Sequence, residues 1–212
     1  VVAVSLLFPL CILLVGSSMK LFGFFDIPSP YTLDHWATVL GDAAFIGSFL
    51  NSMVLSAGAG FGGVLLYAVV AYLIVRSRLV GRGIVDLMAW LPWSIPGILL
   101  GVSVLWLILA SPLLSFLYGS LMSLILIMVI AQMPIGVHMM KTSIRQISVE
   151  LEQSSRVCGA GPFRTFFAIV LPLIRPMIVS IFVIVFISAL RDISTIIFLA
   201  SAKSQTLSLL MM

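Results

Sequence analysis

The chain has 212 residues, of which 62% are hydrophobic and only 8% are charged, and its formal net charge is +4. A soluble domain carries about 25% charged residues, so this composition excludes a water-soluble globular protein and predicts an all-α, polytopic transmembrane helical bundle of about five or six spans. The positive charge does not indicate nucleic-acid binding, because most basic residues lie in short segments between apolar runs, as membrane topology signals do.

The first apolar run, at residues 1–15, is interpreted as the end of a first span, and residues 16–42 as an outer loop. No basic residue precedes this run, which argues against a secretory signal peptide, although the Gly-Ser-Ser sequence that follows is small enough for a cleavage site. Both ends of the chain fall inside apolar runs. We therefore expect residues 1–212 to form one transmembrane domain, cut from a longer protein at both ends.

Residues 43–140 are predicted to hold the second, third and fourth spans. The third span, over residues 84–110, is interrupted by Pro92, Pro96 and Gly97. A broken span exposes backbone groups that must be satisfied by protein or by water. The break therefore favours a position beside a translocation path, and the alternative is a simple packing kink.

The fifth span is predicted to run to Ala200, with Arg191 and Asp192 inside it. Charges at membrane depth are costly and usually face a path or a partner. Two interpretations stay open. In one, the pair gates a path or contacts cargo, and Ser194 and Thr195 add hydroxyls to the same wall. In the other, the pair locks two helices together or is simply an interfacial charge.

The distribution of basic residues predicts the orientation in the membrane. Residues 141–175 carry five of them, and residues 176–212 then hold the fifth span and the start of the next. Three more follow the second span: Arg76, Arg78 and Arg82. The positive-inside rule places both basic segments in the cytoplasm, so that Asp26, Asp34 and Asp42 lie outside.

Residues 141–175 are too polar for a span and contain the signals of a helix–turn–helix. Ser148 is a suitable N-cap, and acidic residues in the first turn favour a helix there. Gly159 is a natural stop for this first helix. Pro162 is suited to the first position of a second helix, which the Leu171-Pro172 pair is expected to break.

Such an elbow between two spans suits a helix that a cytoplasmic partner grips. The alternative is an amphipathic loop that only lies in the membrane interface.

The sequence from Gln153 to Phe163, followed by Leu171-Pro172, resembles the EAA loop. This loop is the signature of inner-membrane permeases of binding-protein-dependent ABC importers (type I importer fold). Its pattern is Glu-Ala-Ala, then a glycine that Gly159 matches, then a Leu-Pro pair. Gln-Ser-Ser stands in place of Glu-Ala-Ala here, and Glu152 lies one residue earlier, so the acidic contact of the family loop is in doubt.

The resemblance extends from about residue 51 to the end of the chain. Its further segments are 51–52, 71–76, 91–97, 191–195 and 206–208. These segments are most similar to the iron(III)-type branch, whose members often carry two such halves in one chain, and the present chain is then expected to be the second half. The residues that the resemblance assigns to contact with the ATPase are Glu152, Gln153, Ser154, Ser155, Gly159, Ala160, Pro162, Phe163, Leu171 and Pro172. The residues expected to line the path or gate are Pro92, Pro96, Gly97, Arg191, Asp192, Ser194 and Thr195.

The family implies a translocation subunit in the bacterial inner membrane. Its partners are a cytoplasmic ABC ATPase dimer, a periplasmic solute-binding protein, a second permease half and membrane lipid, and iron(III) is the expected cargo. The sequence contains no P-loop, so no cofactor is expected in this chain, and ATP and Mg²⁺ belong to the ATPase. The alternative is an ion-driven carrier, for which Asp192 is the clear intramembrane acid.

No catalytic or metal site is predicted. His35 and His138 are isolated, and Cys11 and Cys158 form no CxxC pair. Residues 58–63 match G-x-G-x-x-G but lie inside a predicted span, so their small side chains are expected to allow close helix packing rather than nucleotide binding.

Overall fold

The computed structural model of the protein describes residues 2–21, 23, 29–77 and 80–212. These residues are mainly helical and contain no β-strand, only an isolated antiparallel bridge between Met19 and Tyr31. The all-α prediction is therefore confirmed. Asp26 and Arg78, which entered the predicted orientation, lie outside the described residues.

The chain divides into two compact units, Val1–Gly47 and Ser48–Met212. The single domain predicted over the whole chain stays a prediction. In the first unit, α1 (Val2–Ser17) is an apolar helix, and α2 (Asp34–Gly41) lies in the segment predicted as a loop. Asp34 opens α2, and its negative charge interacts favourably with the positive end of the helix dipole. This helix is only 8 residues long, too short for its periodicity to be recognised.

The longest helix, α3 (Ala43–Arg76), has 34 residues, and among the described helices it is the one long and apolar enough to cross a membrane by itself. Three further pairs of helices reach that length only together, because each is bent at a short break, so up to four spans are possible. The first two pairs are α4 (Arg82–Trp90), followed by a 3-10 turn (Leu91–Ser94), with α5 (Gly97–Ala110), and α6 (Leu121–Ala131) with α7 (Met133–Arg145). The third consists of the second elbow helix, Pro162–Leu173, and α11 (Arg175–Arg191).

The break predicted in the third span is a bend of 113° between α4 and α5. Ile95 is extended (φ −106°, ψ 123°), because the ring of a following proline disfavours the helical conformation. Pro96 then occupies the N-cap of α5. The fourth span bends by 53° at Gln132, and Pro134 lies in the first turn of α7, where its missing N–H leaves no helical bond unmade.

The prediction that the fifth span continues to Ala200 is wrong. Helix α11 ends at Arg191, and Asp192 is extended (φ −69°, ψ 137°). The Asp192 carboxylate accepts hydrogen bonds from the backbone N–H and the hydroxyl of Thr195, at 2.8 and 3.1 Å. A short acidic side chain that binds the backbone in this way competes with helix formation, so a turn follows instead of more helix.

A short helix, α12 (Leu207–Leu210), begins where the sixth span is expected. Its first N–H donates a hydrogen bond to the Ser52 hydroxyl of α3, at 2.7 Å. The Asn51 amide donates to the carbonyls of Lys203 and Gln205, at 3.1 and 2.9 Å. Helix α3 therefore holds the start of α12 and the turn before it.

The core of the second unit is built around Tyr67 of α3. Its side chain is fully buried, and its hydroxyl donates a 2.5 Å hydrogen bond to the carbonyl of Val129. A Cβ on Gly136 would lie 2.0 Å from the Tyr67 ring, and one on Gly58 would lie 2.7 Å from Ile125 of α6. The close packing predicted for the glycines of α3 is therefore confirmed at Gly58, whereas Gly62 is exposed.

Candidate functional site

The first helix of the predicted elbow is α8 (Val149–Val157). The Ser148 hydroxyl caps it by accepting a hydrogen bond from the Glu150 N–H, at 3.3 Å. At the other end, Gly159 has a φ of +84°. Its N–H donates a hydrogen bond to the Arg156 carbonyl at 2.9 Å, and the N–H of Ala160 donates one to the Ser155 carbonyl at 3.0 Å. This is a Schellman motif, which favours glycine at that position, so both ends of the helix form as predicted.

The second elbow helix begins at Pro162, as predicted, but the Leu171-Pro172 pair does not break it. Helix α9 (Pro162–Thr165) continues through a π-helical turn (Phe166–Val170) into α10 (Leu171–Leu173). The wider π turn leaves room for the ring of Pro172, and the missing N–H of this proline then leaves no helical hydrogen bond unmade. The chain turns instead at Ile174, with a bend of 74° into α11.

Glu152 points into the protein and not away from it. The residue is 3% exposed, and its Oε1 lies 2.7 Å from Nε of Arg76, the last residue of α3. The Tyr72 hydroxyl of the same helix donates to Oε2 at 3.1 Å. Because the carboxylate is enclosed by α3, Glu152 holds α8 against that helix.

The Arg76 guanidinium joins three helices at this point. Besides meeting Glu152, its Nη2 donates to the carbonyls of Ile144, at 3.1 Å, and Ile147, at 2.5 Å, at and just beyond the C-terminal end of α7. The last carbonyls of a helix lack partners within it, and the planar fork of arginine can bind several acceptors at once. This junction could not be predicted from the sequence, because no local pattern connects Arg76 to residues so far along the chain.

The other residues predicted to contact an ATPase differ in their exposure. Those fully on the surface are Gln153, Ser154, Gly159, Pro162 and Phe163. Those partly covered are Ser155, Ala160, Leu171 and Pro172. Val157, which the sequence analysis did not single out, is 88% exposed, and Phe163 is 80% exposed. The elbow therefore presents an apolar and polar surface between its two helices, while Glu152 is excluded from that surface.

A second candidate site is a cavity of about 560 Å³ at the end of α11. Its lining residues are Gln132, Ile187, Ser188, Arg191, Asp192, Ile193 and Ser194. Three residues predicted for the path, Arg191, Asp192 and Ser194, are thus brought together. Gln132 and Ser188 were missed, because single uncharged polar residues in apolar runs give no signal of their own.

The ion pair between Arg191 and Asp192, one of the two interpretations left open by the sequence, is not formed in the part of the chain that the structure describes. Both Asp192 oxygens accept hydrogen bonds from Thr195, and Arg191 is exposed. The ion pairs among the described residues are those between Arg76 and Glu152 and between Lys141 and Asp86. Among the described residues, the side chain of Arg191 therefore forms no ion pair.

The start of α5 lies against the turn that follows Asp192. A Cβ on Gly97 would lie 2.8 Å from the Thr195 hydroxyl and 2.9 Å from that of Ser194. A Cβ on Gly101, one turn later, would lie 2.5 Å from the Thr195 carbonyl oxygen. Gly97, Ser194 and Thr195 are therefore neighbours, but of these three only Ser194 belongs to the described lining of the cavity. Pro92 and Pro96 shape the bend before α5 and are absent from the described lining of the cavity.

Comparison with known proteins gives a consistent result. The family described as "Binding-protein-dependent transport system inner membrane component" matches residues 63–211. The ferric transport system permease protein FbpB of Actinobacillus pleuropneumoniae is 27% identical over 177 residues, which cover 82% of this chain and 26% of that protein. The inner membrane ABC transporter permease protein YcjP of Escherichia coli is 30% identical over 184 residues, which cover 85% of this chain and 64% of that protein.

Other relatives transport different solutes according to their names. The molybdenum transport system permease protein ModB of Escherichia coli is 28% identical over 150 residues, which cover 64% of each chain. A crystal structure of a bacterial ABC transporter involved in the import of the acidic polysaccharide alginate matches with a TM-score of 0.80 at 16% identity. That match covers 98% of this chain and 74% of the other, and it shows the fold. The chain thus spans about a quarter of the ferric relative and less than two thirds of YcjP and ModB.

Proposed function

The chain belongs to the family of inner membrane components of binding-protein-dependent transport systems, and on this premise we propose that it is the translocation subunit of an ATP-driven importer. The observation that carries the proposal is the elbow. A capped helix, a left-handed glycine and a second helix connect two membrane segments, and this arrangement suits a lever held by a separate protein.

The partner of the elbow is a pair of cytoplasmic ABC ATPases, because the sequence contains no P-loop of its own. Exposed apolar side chains on a loop outside the membrane mark an interaction surface, and Val157 and Phe163 are such side chains. Gln153 and Ser154 lie on the surface of the first elbow helix, where the family motif has glutamate and alanine. Contact with the ATPase therefore depends on apolar packing more than on an acidic residue.

The ion pair between Arg76 and Glu152 gives the elbow a second connection to the bundle. Along the chain, α8 is joined to α7, and the elbow is joined to α11. Through Arg76 it is also tied to the end of α3. A displacement of α8 by the ATPases is then transmitted to α3 as well, and Glu152 acts as a positioning residue and not as an ATPase contact.

Iron(III) is the proposed cargo, supplied from outside by a periplasmic binding protein. The proposal rests on the resemblance of residues 91–97 and 191–195 to the iron(III)-type branch and on similarity to FbpB. Permeases named for molybdenum and trehalose are also similar, so the class of importer has broader support than its cargo.

A second permease half completes the path. A match of similar length covers 26% of the ferric relative and 64% of YcjP, so the ferric relative is more than twice as long. This supports the proposal that the parent protein also carries two halves in one chain. An ion-driven carrier is not favoured, because Thr195 engages both oxygens of Asp192, the acid on which ion coupling would depend.

The test is purification of the full-length parent protein from its own membranes in a mild detergent. We expect an ATPase to co-purify and its ATP hydrolysis to rise when a loaded binding protein is added. The cargo of that binding protein then identifies the substrate. A preparation without an ATPase that supports ion-dependent uptake in vesicles would contradict the proposal.

A further inference from the structure

We infer that the cavity at the end of α11 binds a small anion rich in oxygen atoms, either a carboxylate or an oxyanion, through Arg191, Ser188 and Ser194. The inference rests on the proposed function, because it names the chemical class of the cargo that the path accepts. It depends on which polar groups of the cavity are already satisfied and which are free.

The charges in the cavity are unequally engaged. The Asp192 carboxylate is turned to Thr195, whose backbone N–H and hydroxyl occupy one oxygen each. The side chain of Arg191 makes no hydrogen bond or ion pair within the described ranges. A positive charge at a helix C-terminus is favoured by the helix dipole. This interaction leaves the five planar N–H groups of the guanidinium available as hydrogen-bond donors. These groups match the two oxygens of a carboxylate or an oxyanion.

The uncharged polar groups point to the same class of ligand. Gln132 lies at the bend between α6 and α7, and its buried side-chain oxygen has no hydrogen-bond partner. The two ends of an amide can exchange by rotation, so Gln132 can also present its NH₂ group to an anion. The hydroxyls of Ser188 and Ser194 likewise make no hydrogen bond among the described residues and can donate.

The size and composition of the cavity narrow the ligand further. Its volume of about 560 Å³ lies within the range of about 300–1,000 Å³ typical of small-molecule sites. The described part of the chain contains no group of three or more His, Cys, Asp or Glu residues that could hold a metal ion. The Arg191 guanidinium repels a bare cation. If iron(III) is the cargo, it therefore passes this point as a negatively charged chelate.

The test is equilibrium dialysis of the full-length transporter in detergent with radiolabelled citrate, phosphate and molybdate, each alone, and with citrate carrying ferric ion. We expect saturable binding of at least one probe. Arg191→Gln should weaken it by about tenfold or more, as expected when a charged hydrogen-bond partner is lost, and Arg191→Lys should weaken it less. Arg175→Gln, at the opposite end of α11, is the matched control and should bind as the parent does.

Absence of saturable binding for every probe, or equal binding by Arg191→Gln and the parent, would overturn the inference. The same samples are assayed for stimulation of ATP hydrolysis by the loaded binding protein. If stimulation occurs without anion binding, the importer stands and the site is wrong. If anion binding depends on Arg191 but no ATPase is present, the site stands and the proposed function is wrong.

Discussion

Replacing Glu152 by glutamine is the sharpest test of the junction between the elbow and α3. The side chains of Arg76 and Glu152 are 12% and 4% exposed, and removing one partner of a buried ion pair costs about 3–5 kcal/mol. Two features reduce this cost. Arg76 keeps its bonds to two backbone carbonyls, and the glutamine amide still offers an acceptor to Tyr72. We therefore expect Glu152→Gln to lower the free energy of unfolding by about 2 kcal/mol.

In the assay, the purified full-length protein in mild detergent is unfolded by titration with a denaturing detergent, and unfolding is monitored by circular dichroism. Gln153→Ala is the matched control, because this neighbour is exposed and a surface substitution changes stability by about 0.5 kcal/mol or less. A double-mutant cycle with Arg76→Gln isolates the energy of the pair. The reasoning is refuted if Glu152→Gln leaves stability unchanged but abolishes stimulation of the ATPase, since Glu152 would then contact the ATPase directly.

Two glycine substitutions test the elbow and the core. Gly159→Leu places a side chain on a residue in the left-handed conformation, which costs about 1–2 kcal/mol. We expect this variant to insert into the membrane but not to transport. Gly161 has a φ of −71° and open space around it, so Gly161→Leu should transport normally. Equal uptake by both variants would exclude a coupling role for the turn. Gly136→Ala places a Cβ 2.0 Å from the Tyr67 ring and should lower the thermal unfolding midpoint through a loss of about 1–3 kcal/mol. Gly83→Ala, with no atom within 4 Å, should not, and an unchanged midpoint for Gly136→Ala would show that the ring can move aside.

The ends of the elbow helices could be predicted because their signals are local. A serine that caps a helix, a glycine that stops one and a proline that opens one act on backbone groups within a few residues. Ser148, Gly159 and Pro162 act in this way in the structure. Pro172 does not break its helix, because the π turn before it accommodates the ring, and no pattern in the sequence announces such a turn.

The end of the fifth span was missed for a related reason. Hydropathy treats residues 193–200 as a continuation of the membrane segment, because they are apolar. The hydrogen bonds from Thr195 to the Asp192 carboxylate end the helix at Arg191 instead. As a result, Arg191 lies at a helix end beside a cavity, and not in the middle of a straight span.

The sequence by itself determined the helical membrane class, the elbow and the family, because these follow from composition, from local helix signals and from a motif of fixed spacing. Only the tertiary structure decided where Glu152 and Arg191 lie and what surrounds them. Glu152 could belong to a partner-binding surface or to the core, and its placement against Arg76 of α3 settled that it is buried. Arg191 could be paired with its neighbour or free, and Thr195 settled this by engaging Asp192. Both outcomes depend on contacts between residues in the folded structure, and patterns along the sequence do not specify those contacts.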